Sequence, residues 1–309
     1  MKAIVTGANG FVGSHVVKRL LDENIEVLAI SRSYKNPKLK ENTGLKMLEL
    51  DVKDIEKLCD MVTPNEYDLF YHFAWTGSAG NLRCDECVQT ENALQTVRAL
   101  RTAAKIGCKK FIVAGSIMEF EVNVAVYTDN TAPGLPYIYG AGKTLAHEIC
   151  KPVANALNID LIWAYITNAY GVGENSPRFI NTTLRKIINH EKLEFTSGVQ
   201  NYDFVYIDDV AEAFLRLGLS GKANKGYMIG SGNARALKEF ILEMCKENNA
   251  DNPPIFGNVP FTGVNLPLSV YSTKTLEEDC GFRAKVSFAE GTKKTLEFLK
   301  EEQNAKVEF

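Results

Sequence analysis

The sequence contains no long apolar run and no dense block of basic residues. No stretch approaches the ~20 consecutive apolar residues that a membrane-spanning helix requires. The formal net charge is −3, without the clustered Lys and Arg of a nucleic-acid binder. The opening MKAIVTGANG reaches glycine after a short apolar run, whereas a secretory signal has a longer apolar region and a cleavage site. We therefore expect a cytoplasmic protein with no membrane or nucleic-acid partner.

Paired cysteines are also lacking. The seven cysteines are scattered, and only Cys84 and Cys87 have the spacing of a zinc-ligand pair, with no second Cys or His pair to complete it. Structural zinc sites need four protein ligands, and catalytic zinc sites need three with a water molecule. We therefore expect reduced thiols and no bound metal.

What the sequence does contain is an ordinary globular composition, with 45% hydrophobic and 24% charged residues among 309. In the first half, short apolar segments alternate with segments of helical periodicity. The strand-like segments are KAIVTG, IEVLAIS, LKMLELD, YDLFYHFAW and KKFIVAGS, and the helix-like ones include FVGSHVVKRLLDEN, VKDIEKLCDMV and ENALQTVRALRTAAKIG. Near-continuous apolar strands separated by helices indicate a parallel sheet buried on both faces. The predicted fold class is α/β, a doubly wound parallel sheet of the Rossmann type.

The rhythm of the sequence changes after residue 170. Loops rich in Asn, Pro and Gly, such as GVGENSP and NNADNPPIFGNVPFTGVNLP, then separate helices from short strands. We predict an NAD(P)-binding domain over residues 1–170 and a smaller C-terminal α/β lobe, mainly for substrate binding, over residues 171–309. Residues 204–225 are expected to return to the first domain.

Glycines recur at the first strand-to-helix turn, where Gly7, Gly10 and Gly13 lie three residues apart in TGANGFVG. This spacing serves a tight turn, a close backbone approach to a pyrophosphate, and close packing of helix against strand. The helix start then presents free N–H groups and a positive dipole end to the anion. The loop, with Asn9, Phe11 and Val12, therefore predicts a dinucleotide site.

Several motifs along nearly the whole chain resemble the extended short-chain dehydrogenase/reductase family, in its NAD-dependent epimerase/dehydratase type. Besides TGANGFVG, they are LELDV, YHFAW, NAYGVG, YDFVYIDDVAEAF, GYMIGSG and GFRAKVSFAEGTKKTLEF, in that order. The resemblance implies that Asp51 and Val52 hold the adenine and that Asn92 lies near the catalytic lysine. It implies further cofactor contacts from Phe73, Ala74, Trp75, Ile166 and Asn168.

The segment YIYGAGKTLAHE contains Tyr139 and Lys143, four residues apart. On a helix this spacing puts both side chains on one face. A nearby ammonium favours the phenolate, so Lys143 should lower the pKa of Tyr139 and fit it for proton transfer to or from a substrate oxygen. Ser116, at the end of FIVAGS, matches the family's Ser or Thr that hydrogen-bonds the reacting oxygen. We predict that Ser116, Tyr139 and Lys143 are catalytic.

The resemblance also argues against one activity. Family members that remove water from the sugar carry Asp-Glu directly after this Ser or Thr, whereas this chain has Ile117 and Met118. Neither side chain can act as an acid or a base. Glu119 lies one position too late in the sequence, so sugar 4,6-dehydratase activity is not expected.

The expected substrate contacts combine matches to the family with departures from it. Asn168 matches an asparagine that contacts the substrate, and Arg178 lies close enough in sequence to meet a diphosphate. The full predicted set is Gly77, Ser116, Met118, Asn168, Arg178 and Gln200. Tyr202 and Thr262 stand where the family, or a subgroup of it, has arginines that reach the substrate. This loss leaves open a substrate other than a standard nucleotide-diphosphate sugar.

The second predicted strand ends without the acid that NAD-binding members use to hold the adenosine ribose diol. Ser31 takes that place, and Arg32 and Ser33 follow it, with Lys35 close behind. A carboxylate would repel a 2′-phosphate, whereas Arg and Ser would bind it through charge-assisted hydrogen bonds. We therefore predict a preference for NADP(H), with Arg32 as the main anchor, while NAD(H) remains possible.

These features favour an NADPH-dependent reductase of a 4-keto group on a nucleotide-linked (deoxy)sugar. An NAD-dependent nucleotide-sugar 4-epimerase and a reductase of a non-nucleotide carbonyl compound are the alternatives. The sugar, the nucleotide and the stereochemistry of reduction stay open. The helix-like segments ENALQTVRALRTAAKIG and YGAGKTLAHEICKPVANAL match those that pair family members, so the resemblance implies a homodimer.

Overall fold

A seven-stranded parallel sheet organises the first part of the computed structural model, which describes residues 1–307. Its strands are β1 (Lys2–Thr6), β2 (Glu26–Ser31), β3 (Leu45–Glu49), β4 (Leu69–His72), β5 (Lys110–Ser116), β6 (Asp160–Ile166) and β11 (Lys225–Ile229). Their order across the sheet is β11-β6-β5-β4-β1-β2-β3, and each neighbouring pair is parallel. The order reverses between β1 and β4, which confirms the predicted doubly wound fold and creates a switch point there.

The helices that accompany this sheet are α1 (Phe11–Asp22), α2 (Glu86–Lys105), α3 (Met118–Tyr127), α4 (Ile138–Leu157), α6 (Ile207–Ser220) and α8 (Lys274–Cys280). Three 3₁₀ helices cover Val52–Asp60, Asn81–Cys84 and Leu135–Tyr137. The segment VKDIEKLCDMV, expected to be helical, contains the first of these 3₁₀ helices, and its backbone departs from helical angles at Asp54. Helix α2 begins five residues earlier than ENALQTV suggests, because Asp85 caps it by accepting the Val88 N–H.

The strands are apolar because both faces of the sheet are covered. Ile4, Phe70 and Phe111 are fully buried, and Trp163 is 1% exposed. Burying such a side chain contributes roughly 1.5–3 kcal/mol relative to exposure. Strand β3 is mostly exposed because it is the edge of the sheet. The buried strands hold the C-terminal ends of β1, β4 and β5 in fixed register, and these ends carry the candidate site.

The second part of the chain contains short strand pairs and three helices. The strands are β7 (Asn168–Tyr170), β8 (Glu194–Phe195), β9 (Asn201–Tyr202), β10 (Phe204–Tyr206), β12 (Arg235–Ala236) and β13 (Ile255–Phe256), and the helices are α5 (Phe179–Ile188), α7 (Leu237–Glu247) and α9 (Phe288–Val307), with a 3₁₀ turn at Leu268–Tyr271. Phe204, Phe240 and Phe288 pack with ring centroids 4.8–5.7 Å apart. This aromatic cluster holds β10, α7 and α9 together.

The chain divides into two compact units. The first comprises Met1–Ile166, Val210–Ile229 and Lys274–Phe282, and the second comprises Thr167–Asp209, Gly230–Thr273 and Arg283–Phe309. The last two positions, which the expected domain 171–309 includes, lie outside the described residues. The bounds differ from the expected return of residues 204–225, because β10 pairs with β7 and stays in the second unit. The pairing of β11 with β6 brings the following segment back to the first unit.

No helix within residues 1–307 is long and apolar enough to cross a membrane. In the same residues, no group of three or more His, Cys, Asp or Glu side chains could hold a metal ion. All seven cysteines are free thiols, with Cys84 and Cys87 beside the start of α2.

Candidate active site

The loop between β1 and α1, called the glycine loop here, leaves no room for a side chain at Gly7 or Gly13. Gly7 has a φ of +67°, and a Cβ there would lie 2.7 Å from the backbone nitrogen of Ala74. A Cβ on Gly13 would lie 2.2 Å from the Gly7 carbonyl oxygen. Helix α1 starts after Gly10 with no side-chain cap, so its first N–H groups, from Phe11 and Val12 onward, are free to bind an anion. The loop therefore fits the pyrophosphate of a dinucleotide.

Asn9 joins this loop to the segment that follows β2. Its Nδ2 donates to the carbonyl oxygens of Ser33 and Asn36, at 3.3 and 3.2 Å. Its Oδ1 accepts the Lys38 N–H at 2.8 Å. The Asn9 side chain thus forms hydrogen bonds to the protein backbone, and these bonds hold the β2–β3 loop beside the glycine loop.

The segment after β2 presents Arg32 to solvent. In residues 1–307 its guanidinium forms no hydrogen bond or ion pair. The Ser31 hydroxyl donates to the Ser33 carbonyl oxygen at 3.3 Å, which tightens the turn. The nearest acid on the neighbouring strand, Glu49, accepts the Tyr34 N–H at 2.6 Å. The turn can therefore offer a cation and hydroxyl groups to an anion.

The end of β4 lies directly beside the glycine loop. The Phe73 N–H donates to the Thr6 carbonyl oxygen at 3.1 Å, and Ala74 contacts Gly7. Trp75 follows, and its Nε1 donates to Gln89 Oε1 at 2.8 Å. After β3, the Asp51 carboxylate accepts the Lys53 N–H and begins the 3₁₀ helix at Val52.

Gln89, which is absent from the predicted site residues, fixes the loop after Trp75. Its Nε2 donates to the carbonyl oxygens of Gly77 and Leu82, at 3.1 and 2.8 Å. Asn92, one helical turn later, bonds to both the N–H and the carbonyl oxygen of Thr76. Both side chains are almost fully buried. The family resemblance singles out Asn92, whereas no sequence pattern distinguishes Gln89 from the other polar residues of α2.

The buried side chains of Tyr139 and Lys143 form one cluster with the partly buried Trp75. The Lys143 Nζ lies 3.5 Å from the centroid of the Trp75 ring and 5.9 Å from that of Tyr139. It also donates to the Ala114 carbonyl oxygen at 2.7 Å, on the strand that carries Ser116. On another side, the Arg83 guanidinium lies 4.3 Å from the Tyr139 ring centroid. Tyr139 and Lys143 therefore lie in one cluster, and Arg83, which is absent from the predicted site residues, contacts the same tyrosine ring.

Burial changes the acid–base behaviour of this cluster. Desolvation lowers the pKa of Lys143 to about 7, and the Glu119 carboxylate opposes the shift. Burial, aided by Lys143, lowers the pKa of His72 to about 3, so this histidine is neutral. Its ring nitrogens face the hydroxyls of Thr6 and Thr96. Lys143 is therefore the group of the pair that titrates near neutral pH.

Ser116 ends β5 beside this cluster and is 8% exposed. Its Oγ accepts the Met118 N–H at 3.2 Å, which leaves the hydroxyl hydrogen to donate to a substrate oxygen. The Ile117 N–H bonds to the carbonyl oxygen of Ile166, the last residue of β6. Glu119 accepts the Ser116 N–H at 2.8 Å and is 4% exposed.

Three predicted substrate residues belong to the second unit. Asn168 donates to the Asp203 carbonyl oxygen at 3.0 Å, and Arg178 lies 3.7 Å from the Glu174 carboxylate. Gln200 is 2% exposed and donates to Thr196 Oγ1 at 2.8 Å. Its Oε1 is buried and accepts no hydrogen bond within the described chain.

The two departures from the family lie in this unit as well. The Tyr202 ring stacks on Phe204 with centroids 5.7 Å apart, and Thr262 is exposed. Neither supplies a positive charge.

A doubly wound sheet, a glycine-rich first turn and a buried Ser-Tyr-Lys set define the class of nucleotide-dependent oxidoreductase enzymes. Residues 3–230 match the family described as NAD dependent epimerase/dehydratase. The match covers most of the chain, which therefore belongs to this family of NAD(P)-dependent enzymes of the extended short-chain dehydrogenase/reductase type. The resemblance read from the motifs is confirmed.

Relatives with described activities match nearly end to end. The chain is 27% identical over 300 residues to CDP-abequose synthase of Salmonella muenchen, covering 96% of this chain and 97% of the relative. It is 29% identical over 271 residues to the dTDP-6-deoxy-L-talose 4-dehydrogenase (NAD(+)) of Aggregatibacter actinomycetemcomitans, covering 84% and 95%. The structure of the UDP-glucose 4-epimerase of Thermotoga maritima with UDP-glucose has a TM-score of 0.80 at 21% identity, covering 98% of this chain and all of the other.

Proposed function

We propose that the protein reduces a 4-keto group on a nucleotide-linked deoxysugar with NADPH. The observation that carries this proposal is the buried cluster of Ser116, Tyr139 and Lys143, which has the groups for proton transfer to a carbonyl oxygen. The relatives named for CDP-abequose synthesis and for dTDP-6-deoxy-L-talose 4-dehydrogenation act on nucleotide-linked sugars by their names, which supports the substrate class.

In this proposal Tyr139 gives its phenolic proton to the substrate oxygen as negative charge develops there. The Lys143 ammonium, held by the Ala114 carbonyl oxygen and the Trp75 ring, stabilises the phenolate that remains. The Ser116 hydroxyl, oriented by the Met118 N–H, donates a hydrogen bond to the same oxygen. NADPH, when bound, supplies the hydride. Gly77 and Met118 then border the sugar, and Asn168, Arg178 and Gln200 bind the rest of the substrate.

We propose NADPH rather than NADH because of the turn after β2. An exposed Arg32 and the Ser31 and Ser33 hydroxyls suit a 2′-phosphate, and Glu49 is engaged by the Tyr34 N–H. The NAD(+) in the name of one relative points the other way. The test is direct: titration with NADPH and NADH should give tighter NADPH binding. Arg32→Gln should weaken NADPH roughly tenfold, or about 1.4 kcal/mol, and leave NADH unchanged.

Lys40→Gln is the matched control for this titration, because Lys40 is an exposed cation in the same loop. It should leave both affinities unchanged. Equal or tighter NADH binding by the unmodified protein would contradict the cofactor proposal. If Lys40→Gln and Arg32→Gln weaken NADPH binding equally, the effect is one of general charge and not of a specific contact.

The nucleotide-sugar 4-epimerase is the second candidate, because the family description includes epimerases. An epimerase oxidises and re-reduces the same sugar, so it commonly retains its NAD, whereas a reductase exchanges its cofactor at every turnover. Purified protein that contains tightly bound NAD and converts a nucleotide sugar without added cofactor would favour the epimerase.

A screen of 4-keto nucleotide sugars with NADPH decides between these candidates and a non-nucleotide carbonyl substrate, which Tyr202 and Thr262 keep open. Tyr139→Phe removes the proton donor and keeps the ring, so it should abolish at least 99% of the reduction while NADPH still binds. Undiminished reduction by this variant would refute the catalytic assignment.

We also propose a cytoplasmic homodimer that pairs α2 and α4 with their copies. Leu94, Leu145 and Ile149 on these helices are 44%, 37% and 39% exposed, although they are large and apolar. Exposed apolar side chains on two neighbouring helices support the proposal of an interface here.

A further inference from the structure

Glu119 is a buried carboxylate at the start of α3, and the proposed chemistry has not used it. Its Oε1 accepts the Ser116 N–H at 2.8 Å, and both of its oxygens lie 3.1 Å from Trp163 Nε1. Within the described chain, no Lys or Arg nitrogen lies within 4.0 Å of it. Burying a carboxylate without a direct cation partner costs several kcal/mol in the typical case. A neutral side chain such as Gln could make the hydrogen bond to Trp163, so the presence of a carboxyl group here calls for a reason.

The surroundings of Glu119 hold its carboxylate in one orientation. The His147 ring stacks on the Trp163 indole at 4.3 Å with an interplanar angle of 5°. The His147 Nδ1 lies 3.7 Å from Glu119 Oε2 and 3.1 Å from the Tyr165 hydroxyl. His147 is thus an ionisable neighbour of Glu119 within 4 Å, and burial together with the Glu119 carboxylate raises the pKa of Tyr165.

The face of α4 that carries the reactive groups continues to this carboxylate. Tyr139, Lys143 and His147 are spaced four apart, so they line one side of the helix. Lys143 bonds to Ala114, two residues before Ser116, and Ser116 bonds to Glu119. Glu119 therefore touches one proposed catalytic residue through its backbone, and it raises the pKa of another, Lys143, against the lowering effect of burial.

We propose that Glu119 is a positioning residue of the reductase proposed above, which orients Ser116 through its N–H and supplies the negative charge that keeps Lys143 an ammonium ion. The first role follows from the hydrogen bond, because the Ser116 hydroxyl can meet a substrate oxygen only if the end of β5 is fixed. The second follows from the balance of charges around Lys143.

The charged and titratable groups around Lys143 support the second role. Tyr139 lies one turn before it on the same helix, His147 one turn after it, and His72 on β4 is neutral. Glu119 is the group that raises the pKa of Lys143 against the lowering effect of burial. Without this carboxylate, more of the lysine would be uncharged at neutral pH.

Two substitutions separate these roles. Glu119→Gln keeps the shape and removes the charge, so the alkaline loss of activity should move down by about 1 pH unit or more. Glu119→Asp keeps the charge but is shorter, so Ser116 loses its support. We expect kcat to fall roughly tenfold or more, with the pH midpoint and KM unchanged. Glu56→Gln, the loss of an exposed carboxylate in the same unit, is the control and should change neither quantity.

The readouts are kcat and KM from pH 5.5 to 9.5, and the NADPH dissociation constant over the same range. The affinity–pH curve of Glu119→Gln should move in the same direction as its activity curve. An unmoved curve in both measurements overturns the charge role, and wild-type kcat in Glu119→Asp overturns the orienting role. If Glu119→Gln does not fold, an altered pH midpoint in Glu119→Asp still contradicts the proposal.

The NADPH titration distinguishes a failure of the Glu119 proposal from a failure of the proposed function. If the unmodified protein reduces no 4-keto sugar, the proposed function fails. NADPH titration still tests the pairing of Glu119 with Lys143, because it needs no turnover.

Discussion

Gly13→Ala should distort the glycine loop more than its single added carbon suggests. The new Cβ would lie 2.2 Å from the Gly7 carbonyl oxygen, 2.9 Å from its carbonyl carbon and 3.1 Å from Ala8 Cα. All three are backbone atoms, so no side chain can rotate away. Ordinary contact begins near 3.4 Å, and the start of α1 must therefore move by about 1 Å relative to the loop.

This displacement has two measurable costs. Overpacking of this kind destabilises proteins by about 1–3 kcal/mol, which lowers Tm by roughly 2–10 °C for a domain of this size. The free N–H groups at the start of α1 would also move away from the pyrophosphate. A misplacement of about 1 Å costs up to a hundredfold where geometry is strict, so NADPH affinity should fall at least tenfold.

Thermal unfolding with and without NADPH, together with a fluorescence titration of NADPH, tests both costs. The control is Gly134→Ala, because a Cβ at this exposed glycine would meet only Pro136 Cδ at 3.5 Å. It should leave Tm and affinity unchanged. A Gly13→Ala protein with wild-type Tm and wild-type NADPH affinity would refute the close approach of α1 to the loop.

Three further expectations follow from named contacts. Burial lowers the pKa of Lys143 to about 7 from its ordinary 10.5, so the protonated lysine destabilises the folded state. This destabilisation is complete below pH 7 and declines as the pH rises toward 10.5. Lys143→Met should therefore gain more Tm over wild type at pH 6 than at pH 10, and a gain independent of pH would contradict the shift. Asp279→Asn should lower Tm at pH 7, because the hydrogen bond from Lys222 holds the pKa of Asp279 well below its usual range. The Tm difference should stay constant above about pH 4 and shrink below it; calorimetry across pH 2–7 checks this, and a difference that does not shrink below pH 4 would count against it. Leu145→Glu combined with Ile149→Glu should convert the proposed dimer to a monomer in light scattering, and an unchanged mass would exclude this face as the interface.

The fold was predictable because its signals are local. Apolar strands such as KAIVTG and KKFIVAGS alternate with periodic helices, and each forms the element that its pattern indicates. The segment Val52–Asp60 forms a 3₁₀ helix instead of an α-helix. It has only nine residues, and its backbone leaves helical angles at Asp54, so it is too short and too irregular for a stable α-helix. The division into two units also depends on long-range pairing, since β10 pairs with β7 about 36 positions earlier in the chain.

The candidate site was predictable only in part, because its electrostatics arise from packing. Tyr139 and Lys143 are recognisable by their spacing, whereas the desolvation of Lys143 depends on Trp75 and the surrounding core. Gln89 reads as one more polar residue in a helix, and only its burial against the loop reveals three carbonyl contacts. Long-range contacts of this kind leave no periodic trace in a single sequence.

The exposure of Arg32 links the proposed cofactor to the proposed reaction. A reductase must release the oxidised cofactor at each turnover. The residue that binds the 2′-phosphate therefore has to distinguish NADPH from NADH without slowing the release of the oxidised cofactor. An exposed ion pair does this, because solvent and salt screen it, while a buried one would hold the cofactor more firmly. The preference for NADPH over NADH should therefore shrink as salt rises from 0.05 to 1 M, when the Debye length falls to about 3 Å. A preference that does not change with salt would mean that neutral donors such as the Ser31 and Ser33 hydroxyls, rather than Arg32, recognise the 2′-phosphate.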